Sequence, residues 1–137
     1  MKIKYDINLM NYRTIFENVT RANVKDCFLK DNLFFVIVKE NEMGKAIGKA
    51  GVNIRILEKK FNKKIKIVEF NSDIMKFTQN LINPVKAVEI KLEEGLITIK
   101  VQGFKEKGQI IGRESKNLHE LRDILSLYFG IKDVKII

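Results

Sequence analysis

The chain of 137 residues is 45% hydrophobic, yet no apolar stretch approaches the ~20 residues that a membrane-spanning helix needs. Its single cysteine excludes an internal disulfide, and one histidine with one cysteine cannot supply the usual ligand set of structural zinc. The 26 lysines and arginines outnumber the 17 acidic residues, so the formal net charge of +9 favours a polyanionic partner.

The first half of the sequence predicts a helix, a β-hairpin, a glycine loop, a second helix and a strand. Tyr12, Phe16 and Val19 recur at the spacing of one helix face, and the short polar residues 30–32 suit a hairpin turn. Cys27 lies in the first strand-like run, where we expect a small buried side chain. In chain order the predicted elements are helix 11–20, strands 24–29 and 33–38, a glycine loop over 43–51, helix 52–61 and strand 65–70.

The second half predicts the same order of elements. Asp73 is placed to stabilise the N-terminus of its first helix, and Pro84 ends that helix. Leu118, Leu121 and Leu125 recur at helical spacing after the second glycine loop. The predicted elements are helix 73–81, strands 85–92 and 96–101 joined by a turn at 93–95, a glycine loop over 108–115, helix 116–129 and a short strand containing 134 and 136.

An internal repeat explains this likeness. Shifting the sequence by 64 residues aligns the two glycine loops and the helices that follow them. The boundary falls near residues 71–73, which predicts two domains, 1–71 and 72–137. Residues 1–71 carry 15 basic and 8 acidic side chains, whereas residues 72–137 carry 11 and 9, so the basic surface belongs mainly to the first domain. The aligned pairs are Gly44 with Gly108, Ile47 with Ile111, Gly48 with Gly112, Lys49 with Arg113, Asn53 with Asn117, Ile54 with Leu118 and Leu57 with Leu121.

The first glycine loop has the composition of a phosphate-binding turn. Gly48 and Gly51 bracket two small or basic residues, and a helix begins at once. Glycines allow tight turns and a close approach of another backbone, while the free amides and positive end of the helix attract phosphate. Lys45 and Lys49 add positive charge. The loop therefore suits a sugar–phosphate backbone.

The segment from Ala46 to Ile54 matches the pattern Ile-Gly-x-x-Gly-x-x-Ile of KH domains. Together the two units resemble the archaeal NusA-like transcription factors, whose two KH domains correspond to those of bacterial NusA. The resemblance implies an α+β fold of two tandem type II KH domains, each a three-stranded sheet with helices packed on one face. It also implies binding of single-stranded RNA during transcription elongation, pausing or termination, with RNA polymerase as a partner.

The resemblance places the first loop at the RNA phosphates, because KH loops grip about four nucleotides of backbone. Three of the residues around it keep two interpretations. Ile47 lines the base groove or packs in the core, Asn53 contacts RNA or caps the local backbone, and Arg55 contacts phosphate or is a solvated charge. The candidate RNA-binding residues of the first unit are Lys45, Ile47, Gly48, Lys49, Ala50, Gly51, Asn53 and Arg55.

The second loop departs from the pattern, since Gly112-Arg113-Glu114-Ser115 stands where Gly-x-x-Gly is expected. Ser115 adopts a glycine-like backbone less readily, and Glu114 places a negative charge where the phosphate should lie. We therefore expect weaker RNA binding by this unit, and Ser115 is alternatively a cap of the next helix. The candidate contacts of the second unit are Gly112, Arg113, Lys116 and Asn117.

The same residues fit other functions less well. A nucleotide-binding P-loop needs four residues between its glycines and Ser or Thr after the lysine, whereas this loop has three and Ala50. Ser115 and His119 lie four residues apart but lack a third catalytic partner, so we expect no enzyme, no cofactor and no small-molecule substrate. A ribosomal-RNA-binding assembly factor and a protein–protein adaptor built on KH scaffolds remain open.

The first residues, Met1-Lys2-Ile3-Lys4, are followed by neither the apolar core nor the cleavage site of a signal peptide. We therefore expect a mature protein of the cytoplasm that has no contact with a membrane.

Overall fold

The computed structural model describes residues 7–137, so the N-terminal segment 1–4 discussed above lies outside the described residues. The chain divides into two compact units between Asn71 and Ser72. No helix within residues 7–137 is both long and apolar enough to cross a bilayer.

The first unit contains a mixed three-stranded sheet in the order β1-β2-β3. β1 runs antiparallel to β2, whereas β3 runs parallel to it. The two central helices are separated by a short 3-10 turn. The elements are α1 (Ile7–Thr20), β1 (Val24–Lys30), β2 (Leu33–Val38), α2 (Met43–Ile47), the 3-10 turn (Lys49–Gly51), α3 (Val52–Phe61) and β3 (Lys64–Glu69).

Helices α1, α2 and α3 bury one face of this sheet. Phe16 of α1 and Phe61 of α3 each pack edge-to-face against Phe34 of β2, with ring centroids 6.3 and 5.7 Å apart. α1 begins by Ile7, four residues before the predicted start, because Leu9 is buried in the same core. The buried core residues are Leu9, Phe16, Ala22, Val24, Cys27, Phe34, Val36, Val38, Ala46, Leu57 and Phe61.

The other face of the first sheet is also apolar. Phe28 and Phe35 stack with ring centroids 4.7 Å apart, and both are buried, as are Ile37 and Val68. Five consecutive residues of β2, from Phe34 to Val38, are therefore buried, which explains why this strand is a continuous apolar run rather than an alternating one.

The second unit repeats this topology, with β4 antiparallel and β6 parallel to the central β5. Asp73 caps its first helix as predicted, since its carboxylate accepts a hydrogen bond from the Met75 amide at 2.9 Å. The elements are α4 (Ile74–Ile82), β4 (Glu89–Glu93), β5 (Leu96–Lys100), α5 (Phe104–Ile111), a second 3-10 turn (Arg113–Ser115), α6 (Lys116–Tyr128) and β6 (Asp133–Ile136).

Strand β4 begins later than predicted, at Glu89 instead of residue 85. The side chain of Gln79 donates to the Val85 carbonyl and accepts from the Ala87 amide, both at 2.9 Å. These bonds tie the segment before β4 to α4, so the Val85 carbonyl and the Ala87 amide are not available for pairing with β5.

The two glycine segments are more helical than predicted. Residues 43–47 form α2 and residues 104–111 form α5, so the irregular backbone is confined to 48–51 and 112–115. The burial of Ala46 and Ile110 in the core favours helix in these two segments. Gly44 and Gly108 have open space around them, so neither is needed there for a close approach of another atom. The predicted α+β class, with two three-stranded sheets and packed helices, is confirmed.

Candidate nucleic-acid interface

The first glycine loop is a sharp turn between α2 and α3. Gly48 has φ 76° and ψ 169°, Ala50 has φ 54° and ψ 28°, and Gly51 has φ 73° and ψ 19°. The Gly48 conformation is essentially restricted to glycine, whereas the other two lie in the left-handed helical region. The turn thus reverses the chain within four residues and keeps Lys49 and Ala50 exposed.

The turn has few amides left for a ligand. The Gly51 amide donates to the Gly48 carbonyl at 3.1 Å, and the Val52 amide donates to Lys49. The first two amides of such a turn have no hydrogen-bond acceptor inside it. Here these are the amides of Lys49 and Ala50. These two N–H groups, and not the amide of Gly51, are the donors that the loop can offer to phosphate.

Asn53 holds the loop together. Its amide Nδ2 donates to the Lys45 carbonyl at 2.8 Å, across the turn from α3 to α2. A Cβ at Gly48 would lie 2.8 Å from Cγ and Nδ2 of Asn53, closer than such atoms pack. Of the two interpretations of Asn53, the structure therefore supports the capping of local backbone. The close approach of Asn53 also requires glycine at position 48, in addition to the backbone conformation there.

Arg55 also points back to the loop. Its Nη1 donates to the Ala50 carbonyl at 2.5 Å, so the guanidinium braces the turn and lies beside it. Its remaining N–H groups are available for an anion at the same place. Ile47, the last residue of α2, is half-buried, which leaves both of its interpretations open.

Lys45 belongs to a small polar network on the α2 side of the loop. Its Nζ lies 3.5 Å from Oε2 of Glu42, a residue that is only 7% exposed. Asn23, just before β1, donates to Oε1 of the same carboxylate. The Asn23 hydrogen bond, and then the charge of Lys45, hold the pKa of Glu42 below its usual value. Glu42 therefore orients Lys45 and cancels part of its charge, a role that sequence analysis missed.

The second loop copies the first in shape despite its different sequence. Gly112 has φ 74° and ψ 175°, Glu114 has φ 54° and ψ 31°, and Ser115 has φ 60° and ψ 22°. Ser115 adopts the left-handed backbone, which residues other than glycine reach less readily. The alternative role of Ser115 as a helix cap is wrong, because its side chain makes no capping hydrogen bond to α6.

Asn117 is the counterpart of Asn53. Its Nδ2 donates to the Gln109 carbonyl at 3.2 Å, and a Cβ at Gly112 would lie 2.6 Å from its Cγ and Nδ2. Arg113 is exposed on the turn and Lys116 on the first turn of α6. The second loop thus differs from the first in charge, through Glu114, and not in backbone shape.

Three further observations concern residues that other kinds of chemistry would use. No group of three or more His, Cys, Asp or Glu side chains within residues 7–137 is placed to hold a metal ion. His119 is exposed on α6. Cys27 is fully buried, as expected, and burial raises the pKa of its thiol to about 11.

Comparison of the sequence with known proteins finds a matching family and similar relatives. Residues 13–73 match the family described as the NusA-like second KH domain. The chain is 31% identical over 140 residues to a protein of Methanococcus vannielii named probable transcription termination protein NusA, covering 100% of this chain and 81% of that protein. It is 32% identical over 125 residues to the protein of the same name from Methanocaldococcus jannaschii, covering 89% and 68%.

A solved structure has a similar fold over almost the whole length of the chain. The crystal structure of APE1850 superposes with a TM-score of 0.73 at 30% identity, covering 97% of this chain and 100% of that one. Similarity of this extent, in sequence and in fold, shows common descent. The chain therefore belongs to the NusA-like family of KH-domain proteins.

Proposed function

We propose that this chain is an RNA-binding transcription factor that holds the backbone of single-stranded RNA at the turn Gly48–Gly51. The observation that carries the proposal is the exposed turn itself, with the amides of Lys49 and Ala50 unpaired inside it and three basic side chains around it. Lys49, Lys45 and Arg55 supply the charge that a phosphate backbone attracts. The relatives named probable transcription termination protein NusA support the transcriptional role.

The first loop dominates in this proposal. Both turns have the same backbone, so both can in principle accept a phosphate between their second and third residues. In the second turn the third residue is Glu114, whose carboxylate repels the phosphate and offsets Arg113. In the first turn that position is Ala50, which adds no charge.

Binding of RNA by acidic variants tests the clamp. Changing Lys49 and Ala50 together to Asp should abolish most of the affinity for single-stranded RNA, because it removes one cation and adds two anions at the proposed phosphate site. The fold should survive, since both positions are exposed and Asp tolerates a left-handed backbone better than most residues.

The matched control is Arg113→Asp, which gives the second loop the same pair of acidic residues at its centre. We expect it to reduce affinity much less. Unchanged affinity in the Lys49→Asp, Ala50→Asp variant would refute the clamp, whereas equal losses at both loops would refute only the dominance of the first.

We further propose that residues 1–71 and 72–137 are separate KH domains, that the protein acts in the cytoplasm on nascent transcripts at RNA polymerase, and that it catalyses no reaction. Crosslinking in cells, with sequencing of the bound RNA and identification of co-purifying proteins, tests the cellular role. Recovery of nascent transcripts with polymerase is the expected result. Recovery with pre-ribosomal particles would favour the ribosome-assembly alternative, and absence of any crosslinked RNA would favour the adaptor.

A further inference from the structure

A second basic surface of the first unit lies at the end of α3 that is remote from the glycine loop. Its four lysines, here called the lysine cluster, are Lys59, Lys60, Lys63 and Lys64. The first two lie in the last turn of α3, and the other two follow its C-cap, Asn62. Within residues 7–137 none of the four forms an ion pair, and all but the half-buried Lys63 are exposed.

The carboxylate that shares this surface is already engaged. Glu58 accepts a hydrogen bond from the Ile65 amide through Oε2, at 3.1 Å. It lines a pocket of about 240 Å³ together with Asn32, Asn62, Lys63 and Lys64. One carboxylate bound to backbone does not neutralise four lysines, so the surface keeps a strong positive charge.

Helix stability accounts for only half of the cluster. Cations in the last turn of a helix complement the negative end of its dipole, which gives Lys59 and Lys60 a structural use. Lys63 follows the C-cap, and Lys64 is the first residue of β3. These two lysines need another explanation.

The exposed side of α3 connects the cluster with the glycine loop. Val52, Arg55, Ile56, Lys59 and Lys60 are exposed and follow one another at the three- and four-residue spacing of a single helix face. Val52 and Ile56 are 38% and 48% exposed, so apolar and basic side chains alternate along this face. The ten residues of α3 span about 15 Å at 1.5 Å per residue.

The second unit shows that the fold does not require these lysines. At the 64-residue shift, Lys59 corresponds to Asp123 and Lys60 to Ile124 of α6, and Ile56 corresponds to Glu120. β6 begins at Asp133 where β3 begins at Lys64, so an acidic residue replaces Lys64, whereas Lys63 corresponds to Lys132. Because the second unit builds the same elements with only one of the four lysines, the concentration of charge is a property of the first unit.

We propose that the lysine cluster is a second phosphate-binding surface, which holds the RNA strand that continues beyond the glycine loop along the exposed side of α3. The inference rests on the proposed function, since it assigns the cluster to the same RNA molecule. An acidic protein segment would also be attracted by four lysines. The unbroken exposed face between the two basic sites favours a strand of RNA.

The experiment compares two variants of the full chain that have the same net charge. In the cluster variant Lys59, Lys60, Lys63 and Lys64 become Gln. In the matched control four exposed lysines of the second unit become Gln, namely Lys86, Lys100, Lys105 and Lys135. Each variant loses four of the same kind of charge from a total of +9, so long-range attraction is equal in both.

Affinity is then measured for two single-stranded RNAs, one of about four nucleotides, which only fills the loop, and one of about twelve. We expect both variants to bind the short RNA equally well. For the long RNA the cluster variant should bind at least ~10-fold more weakly than the control, with a log–log salt slope shallower by about 2–3, as expected for four phosphates. A variant limited to Lys63→Gln and Lys64→Gln, outside α3, replaces the fourfold variant if thermal unfolding shows that it is destabilised.

Equal affinity of the two variants for the long RNA would overturn the inference and leave the glycine-loop clamp intact. Polyglutamate binding that requires the cluster, with long-RNA affinity unchanged, would overturn it in favour of an acidic protein partner. If the wild-type chain binds neither RNA, the proposed function itself fails.

Discussion

Replacing Gly48 by Ala should cost the first unit far more stability than replacing Gly51 by Ala. At Gly48 the backbone lies in a region that is essentially restricted to glycine, which costs about 1–3 kcal/mol for another residue. The new Cβ also lies 2.8 Å from the Asn53 side chain and would displace its hydrogen bond to Lys45, worth about 0.5–1.5 kcal/mol. The expected total is roughly 2–4 kcal/mol.

At Gly51 the cost is smaller, because a Cβ there would meet only the Arg55 guanidinium, at 3.6 Å. The left-handed backbone costs about 1–2 kcal/mol, and the lower entropy of unfolded Ala returns about 0.4–1 kcal/mol of that. Ser115 already occupies the equivalent position with φ 60°. The entropy gain of unfolded Ala applies to both variants and cancels, so we expect Gly48→Ala to cost about 1.5 kcal/mol more than Gly51→Ala.

Amide hydrogen exchange of buried β2 residues such as Val36 measures the opening of this unit in the full chain. A double-mutant cycle with Asn53→Ala separates the two causes, because removing the Asn53 side chain should lower the cost of Gly48→Ala and leave its backbone strain. Equal costs at Gly48 and Gly51, or a Gly48 cost that does not depend on Asn53, would refute the reasoning.

Three further outcomes are expected. Affinity for an RNA of about four nucleotides should fall with a log–log salt slope of about −1 to −3, as a contact confined to the loop predicts, and a salt-independent affinity would contradict it. Because the folded pKa of Glu42 is lowered, its carboxylate stabilises the protein above its unfolded pKa, and this contribution disappears as pH falls through the folded value. The stability difference between wild type and Glu42→Gln, measured by urea unfolding, should therefore shrink on acidification, and a constant difference would speak against the network. With its pKa raised to about 11 and its side chain buried, Cys27 should react slowly with a thiol reagent unless urea is added, and rapid reaction of the native protein would disagree.

Long apolar patterns made much of the fold predictable. Strand β2 and helix α3 have the predicted bounds, 33–38 and 52–61. A short continuous apolar run is typical of a buried strand, and apolar residues three to four positions apart are typical of a helix. The glycine loop was found from the repeat, since a 64-residue shift aligns Gly48 with Gly112. In these elements the local sequence pattern and burial in the folded protein favour the same structure.

Other features depend on contacts that local patterns do not contain. Helix α2 has only five residues and includes Gly44, so its formation depends on the burial of Ala46. The second loop has the same shape as the first although Ser115 stands in place of a glycine, a result that the local sequence does not favour. Glu42 accepts a hydrogen bond from Asn23, which lies 19 residues away in sequence and so outside any local pattern. The repeat did indicate this position, because Glu42 aligns with Glu106 at the 64-residue shift.

Backbone amide NMR of the full chain during titration with single-stranded RNA tests the central claim most directly. If the first turn seats the phosphates, the amides of Lys49 and Ala50 should shift most and at the lowest RNA concentration, and those of Arg113 and Glu114 should follow only at higher concentration. Shifts that bypass the first turn while RNA is bound would contradict the account.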